Sequence, residues 1–464
     1  MSSPRSPYRR LSLWWDQLAD DLVEPTRPAL AGDTTADVCI VGAGFTGLWT
    51  AYYLLGHDPS LRVVVLEAQT AGFGASGRNG GWCSALFPTS LDNVAAKSSR
   101  QGAIALAREL QHTVDEVGEV AAAEGIDAGF RKGGTVMLAR SPLQLRRAEA
   151  EVAEWHSWGF GPADLALLDA AQARELVGAT DLLGGTYTPH CAAVQPARLV
   201  RGLAAAVERR GAVIHESAPV LELAPGSART ATGSVRARYV IRATEGYTAT
   251  LAGQRRELMP LYSSMIATEP LPAAVWEQVG LARGETFSEF RSLIIYGQRT
   301  VDDRLAFGGR GAPYHLGSRI EPEYDRNARV TDELCRTLTD LFPAVAGHAI
   351  THSWGGPLGV PRDWFPSVAL DPATGLGRAG GYVGDGVAAT NLAGRTLADL
   401  VLGRNTALTA LPWVGHESPP WEPEPLRWLG ATAARWAMVS GDRVEARTGK
   451  QSRRGTIVAG LTGH

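Results

Sequence analysis

Residues 36–69 constrain the fold of this chain more than any other segment. The apolar run Val38-Cys39-Ile40-Val41 ends directly in Gly42-Ala43-Gly44-Phe45-Thr46-Gly47. Leu48, Ala51, Tyr52 and Leu55 then recur at helical spacing, and a second apolar run from Val63 to Leu66 ends at Glu67. This order predicts a buried parallel strand, a glycine turn, a helix and a second strand. Gly42 permits the tight turn, Gly44 lets backbone N–H groups approach a pyrophosphate at the positive helix end, and Gly47 lets helix and strand pack closely. Glu67, 20 residues beyond Gly47, stands where a carboxylate accepts hydrogen bonds from ribose hydroxyls. The segment therefore predicts dinucleotide binding.

The same glycine spacing recurs at Gly375-Leu376-Gly377-Arg378-Ala379-Gly380. There it follows the turn signal Asp371-Pro372-Ala373-Thr374 and opens no helix, so a hairpin loop is expected instead.

The remaining pattern is mixed α/β. Helical periodicity covers about 101–124, 143–157 and 196–210. Strands are expected at 130–138, 212–215, 220–223 and 237–246, with a turn at Pro225-Gly226. Aromatic and β-branched residues dominate 258–312 and predict a separate antiparallel sheet. From Gly384 a last helix runs to about Leu402, and Trp413, Trp421 and Trp428 follow among prolines.

Of the 464 residues 45% are apolar and 20% charged, which excludes a wholly disordered, fibrous or coiled-coil chain. A formal net charge of −3 gives no electrostatic case for nucleic acid. Cys39, Cys83, Cys191 and Cys335 form no CxxC pair and no zinc spacing, so a reduced, cytoplasmic protein is expected. Trp14, Trp15 and Asp16 interrupt any signal-peptide core, and no apolar run is long enough to span a membrane.

Several motifs in order carry a resemblance. They are Gly42 to Gly47 with Glu67, Gly72-Phe73-Gly74-Ala75-Ser76-Gly77-Arg78-Asn79-Gly80-Gly81-Trp82, Ala243-Thr244-Glu245-Gly246-Tyr247, Leu261-Tyr262-Ser263, Thr268-Glu269-Pro270-Leu271, Phe307-Gly308-Gly309-Arg310-Gly311 and Gly384-Asp385-Gly386-Val387. The chain resembles the D-amino-acid oxidase and sarcosine oxidase superfamily of FAD-dependent oxidoreductases, and within it the γ-glutamylputrescine oxidase group. The resemblance implies FAD, a Rossmann-like domain discontinuous in sequence, and hydride transfer from a carbon–nitrogen bond to the flavin. It divides the chain into an arm at 1–32, an FAD domain at 33–97, 165–252 and 366–407, a substrate domain at 98–164 and 253–365, and an extension at 408–464. FAD contacts are expected from Gly42, Gly44, Phe45, Thr46, Gly47, Glu67, Ala68, Gly74, Ala75, Ser76, Arg78, Asn79, Gly80 and Gly81. Val220, Ala243, Thr244, Gly246, Gly384, Asp385, Gly386 and Val387 complete that set. The glycine-rich run at 72–81 can follow a cofactor without side-chain collisions, and the helix start at Gly386 suits the charge that builds on a flavin pyrimidine ring.

Departures from the family pattern are informative. Many sarcosine-oxidase-like members read GHG and then a lysine two residues later, which binds the substrate carboxylate; here Asp385 and Ala388 stand in those places. An amine substrate is therefore expected, oxidised to an imine that water converts to an aldehyde. The cysteine and histidine used for covalent flavin attachment in relatives are absent from His352-Ser353-Trp354-Gly355-Gly356 and Ala75-Ser76-Gly77-Arg78, so FAD is expected to be non-covalent. Trp354, Tyr262, His352 and Asp385 are candidate catalytic residues, with Arg362-Asp363 as further candidates. His348 and His352 stand four apart, but the flanking Thr351 and Gly355-Gly356 point to strand or loop, and no metal site is expected. Only Lys97, Lys132 and Lys450 are lysines, so the lysine that assists oxygen reduction in sarcosine-oxidase-like enzymes has no counterpart in its usual place; O2 or another acceptor remains open. The competing readings are an oxidase of N-methyl or D-amino acids, holding the carboxylate with Arg78 or Arg310, and a flavin-binding protein without turnover.

Overall fold

The computed structural model describes residues 6–23, 27–311 and 313–452. Two large sheets organise it. The first runs in the order Ser367–Asp371, Leu376–Gly380, Ser234–Arg242, Thr34–Val41, Val63–Leu66, Val213–His215. All neighbours are parallel except the edge strand Ser367–Asp371. The all-apolar stretch Val63–Leu66 is buried throughout, as a strand covered on both faces must be. Helices Phe45–His57, Arg100–Ala123, Pro196–Arg209 and Gly386–Val401 share one core with one face of this sheet. On the other face Leu30, Cys39, Val41, Val64 and Val240 pack with Ala228 of the hairpin Glu222–Ala224 and Ser227–Arg229.

The second sheet runs Ile350–Val360, Met259–Thr268, Leu305–Arg310, Ile295–Arg299, Thr286–Glu289, Thr135–Ala139, Gly184–Thr188, Ala166–Asp169. It is antiparallel except where Thr135–Ala139 and Thr286–Glu289 run parallel. Its core includes the helices Ala273–Val279 and Ala328–Leu341.

Four expectations need correction. Ala166–Asp169 and Gly184–Thr188 pair in the second sheet, so the FAD-domain segment placed at 165–252 begins after them. The helix Arg100–Ala123, assigned to the substrate domain, buries Ala103, Leu106, Leu110, Val114 and Val117 in the core of the first sheet. The glycines 375–380 are a hairpin turn only at Gly375, with φ +71°; the rest is the strand Leu376–Gly380. The extension after 408, which showed only tryptophans and prolines, carries the helix Leu426–Thr448. Its apolar residues form no single stripe, and it is tied down by polar contacts: the Asp442 carboxylate accepts from the Ser292 and Leu293 N–H groups at 2.8 and 2.9 Å. Among the described residues no helix is long and apolar enough to cross a membrane.

Candidate active site

The strands Thr34–Val41, Val63–Leu66 and Ser234–Arg242 end level, with Val41 opposite both Leu66 and Arg242. A cavity of about 280 Å³ opens at that carboxyl edge, the place where open α/β sheets bind ligands. Gly42 leaves its strand at φ +108°, and a Cβ there would lie 2.5 Å from the Ala243 carbonyl oxygen. A Cβ on Gly47 would lie 2.0 Å from the Gly42 carbonyl oxygen. Only glycine fits either position.

The helix Phe45–His57 has no side-chain cap at Gly44; its Phe45 N–H donates to Ser76 Oγ at 2.8 Å. The helix Gly386–Val401 also starts without a side-chain cap. Both starts border the same cavity, so two positive helix ends converge there. Glu67 closes one side. Its Oε2 accepts from the Ala43 N–H at 2.8 Å and its Oε1 from the Gln69 N–H at 3.0 Å, while burial pushes its carboxyl up. A cradle that Cβ atoms would fill, two helix N-termini and a carboxylate at a strand end fit a dinucleotide such as FAD.

The expected cofactor residues Gly42, Gly44, Phe45, Thr46, Glu67, Ala68, Gly74, Ala75, Ser76, Asn79, Val220, Ala243, Thr244, Gly246, Gly384, Gly386 and Val387 line this cavity together. Gly47 and Gly81 do not line it. They are packing glycines: a Cβ on Gly81 would lie 2.0 Å from Gln298 Nε2. Arg78, Gly80 and Asp385 line a second cavity instead. The sequence reading missed Tyr382, whose hydroxyl is 3.2 Å from Thr46 Oγ1, and Pro357 and Leu358, which the strand Ile350–Val360 brings in from the second sheet.

The second cavity, about 750 Å³, shares Ala75, Asn79, Leu358, Gly384 and Val387 with the first. The two are continuous. Its walls include Trp82, Met137, Thr186, Met265 and Tyr296, the helix Pro142–Ser157 through Arg147, Glu151 and Glu154, and the C-terminal segment through Met438 and Gln451.

Every arginine on these walls has a carboxylate within 4 Å. Arg78 donates to Asp325 at 2.6 Å and to the Phe73 carbonyl at 2.7 Å. Arg147 donates to both oxygens of Glu445, at 2.8 and 2.9 Å. Arg291 stands 3.7 Å from Glu289 and 3.9 Å from Asp442, near enough to balance charge but not hydrogen-bonded, and its Nε is buried without a hydrogen-bond partner.

Of the candidate catalytic residues only Asp385 borders the second cavity. Trp354 is 1% exposed; its indole N–H donates to the Arg78 carbonyl at 2.9 Å and its ring meets Trp14 edge-on. Tyr262 is buried in the core of the second sheet against Tyr324 and His315. His352 faces Asp16 at 3.3 Å. Arg362 pairs with Glu422 at 2.9 Å, and Asp363 holds His416 and Lys97. Residue type suggested a site for these side chains; the strand alternation of Ile350–Val360 and the packing of the arm turn them elsewhere. Arg310's side chain lies outside the described residues.

Residues 37–400 match the family described as DAO, FAD dependent oxidoreductase. The γ-glutamylputrescine oxidoreductase of Escherichia coli is 32% identical over 380 residues, 80% of this chain and 84% of that protein. A probable oxidoreductase OrdL of Haemophilus influenzae is 30% identical over 394 residues, 82% and 86% of the two chains. The crystal structure of glycine oxidase from Geobacillus kaustophilus shares the fold, with a TM-score of 0.67 at 22% identity over 82% of this chain and 99% of that one. The chain belongs to the DAO family of FAD-dependent oxidoreductases, and it is an enzyme acting on amines or amino acids.

Proposed function

We propose that the protein oxidises the carbon–nitrogen bond of a primary or secondary amine to an imine, which water then hydrolyses to an aldehyde. The observation that carries this reading is the pairing of Arg78, Arg147 and Arg291 with Asp325, Glu445, Glu289 and Asp442. Among the described residues every arginine that lines the second cavity already has a carboxylate within 4 Å and no lysine lines it, so an α-carboxylate would find no cation there whose charge is not already balanced. Ala388, fully buried, supplies no cation either.

FAD, when bound, supplies the two-electron acceptor. Gly42, Gly44 and the N–H groups of the helix starting at Phe45 would hold its pyrophosphate, Glu67 would hold its ribose, and the helix start at Gly386 would meet the flavin. Trp82, Met265 and Tyr296 give the second cavity an apolar wall against which the carbon chain of an amine would pack. No cysteine or histidine is among the described residues that line the cofactor cavity, which supports non-covalent attachment. All four cysteines are free, in keeping with a reducing compartment such as the cytoplasm. Anaerobic mixing of the yellow protein with alkylamines, diamines, sarcosine and D-alanine tests the reading. Bleaching by amines is expected; bleaching by sarcosine or D-alanine with none by amines overturns it.

A further inference from the structure

The helix Pro142–Ser157 turns Leu143, Ala148 and Val152 into the protein and Arg147, Glu151 and Glu154 toward the second cavity. Positions 147, 151 and 154 fall on one helix face. Arg147 is held by Glu445, but Glu151 has no comparable partner. Its one hydrogen bond comes from Thr186 Oγ1, at 3.4 Å. Among the described residues no arginine, lysine or histidine nitrogen lies within 4 Å of it. Glu151 is half-buried and lines the cavity, and burial pushes its carboxyl up to about 7, with Glu154 adding to the effect.

A second acceptor on the same walls is unfilled. Glu289 is 6% exposed; its Oε1 accepts from Gln144 at 2.7 Å, whereas its Oε2 is buried without a hydrogen-bond donor. Arg140 and Arg291 lie 3.8 and 3.7 Å from that oxygen, close enough to balance its charge but beyond hydrogen-bond reach. Carboxylate oxygens left without donors are costly inside a protein, and a cavity wall that keeps them is built for a ligand that donates. Neither Glu151 nor Glu289 borders the cofactor cavity. Both line the second cavity alone.

We propose that Glu151 is the counter-ion for a second cationic group of the substrate, remote from the carbon that is oxidised. The inference rests on the reading of this cavity as the site of amine oxidation. The preferred substrate is then a dication, an amine with a further ammonium along its chain, and Glu151 is a specificity-determining residue. An ammonium supplies up to three donors, enough for Glu151 and a neighbouring acceptor such as Thr186 Oγ1 together. The cavity of about 750 Å³ has room for such a chain.

The test compares linear α,ω-diamines with monoamines of the same carbon count, using holoenzyme and Glu151→Gln. In the wild type the diamine KM is expected to be tenfold or more below that of the monoamine. Glu151→Gln raises the diamine KM by about tenfold or more, the scale expected when one partner of a buried charge pair is removed, and leaves monoamine KM and kcat within about twofold. An α,ω-diamine with two methyl groups on each nitrogen-bearing carbon, which keeps its N–H donors but has no C–H there to oxidise, is expected to compete in the wild type and to lose that competition in the variant. Equal KM values for diamine and monoamine in the wild type overturn the inference without any variant, as does an equal effect of Glu151→Gln on both substrates. In either case amine oxidation itself stands. If amino acids alone bleach the flavin, the underlying reading fails and this inference fails with it.

Discussion

Trp14 donates its indole N–H to the backbone carbonyl of Asn79 at 2.8 Å, across 65 residues of chain. Ser12 Oγ donates to the Gly77 carbonyl at 2.9 Å, so the N-terminal arm clamps the glycine run that lines both cavities. Trp14 is 1% exposed. Trp14→Phe removes one buried hydrogen bond, worth about 1 kcal/mol, and is expected to weaken FAD retention several-fold in equilibrium dialysis. Trp14→Ala, which also empties a large core position, should cost about 3–5 kcal/mol of stability in denaturant unfolding.

Glu67→Ala should leave the fold intact and lower FAD affinity. It strands the Ala43 and Gln69 N–H groups, both bonded to Glu67, at about 1–3 kcal/mol each when buried. Titration of apoprotein with FAD, followed by flavin fluorescence, should show at least tenfold weaker binding. Acid precipitation of the wild type should leave all flavin in the supernatant.

Glu151 makes stability depend on pH with a definite sign. Its folded-state carboxyl titrates at about 7 against an ordinary value of 4.5, so the folded protein holds this proton more tightly than the unfolded chain. Raising pH through 4.5 to 7 therefore destabilises the wild type, and Glu151→Gln does not share the loss. The variant is expected to gain stability over the wild type across that window, by about 3 kcal/mol at most. It should hold the gain above pH 7 and lose it below 4.5. Thermal melts of both proteins from pH 4 to 8 check this.

Reoxidation by air should be slow. Lys97 is bound to Asp363 and Lys132 to Asp115, and no lysine lines either cavity. Arg299, which pairs with Asp303 at 2.6 Å, and His352, which faces Asp16, line neither cavity. Without a lysine at either cavity, and with the arginines there balanced by carboxylates, superoxide formation lacks the electrostatic help of a free side-chain cation. Stopped-flow mixing of reduced enzyme with oxygen is expected to give rates below those with a quinone or dye acceptor. Oxygen rates well above turnover would show that another group provides the field.

The cofactor cradle was legible in the amino-acid sequence because its geometry is local. Gly42, Gly44 and Gly47 are close in the chain, and the collision that forbids any other residue at Gly47 is with the Gly42 carbonyl in the same turn, although the one at Gly42 is with Ala243 at the end of the neighbouring strand. Glu67 follows from the length of one helix and one strand. The substrate cavity has no such contiguous signature. Its walls come from the glycine run, the helix Pro142–Ser157, the second sheet and the C-terminal helix, and their meeting depends on pairings such as Arg147 with Glu445, 298 residues apart. Trp354 and Tyr262 have the residue types of a site yet fill cores, whereas Glu151 reads in sequence as one acid on a charged helix face. Only tertiary packing decides whether such a carboxylate meets bulk water, an arginine or an enclosed cavity, because its cost and its use are set by its surroundings.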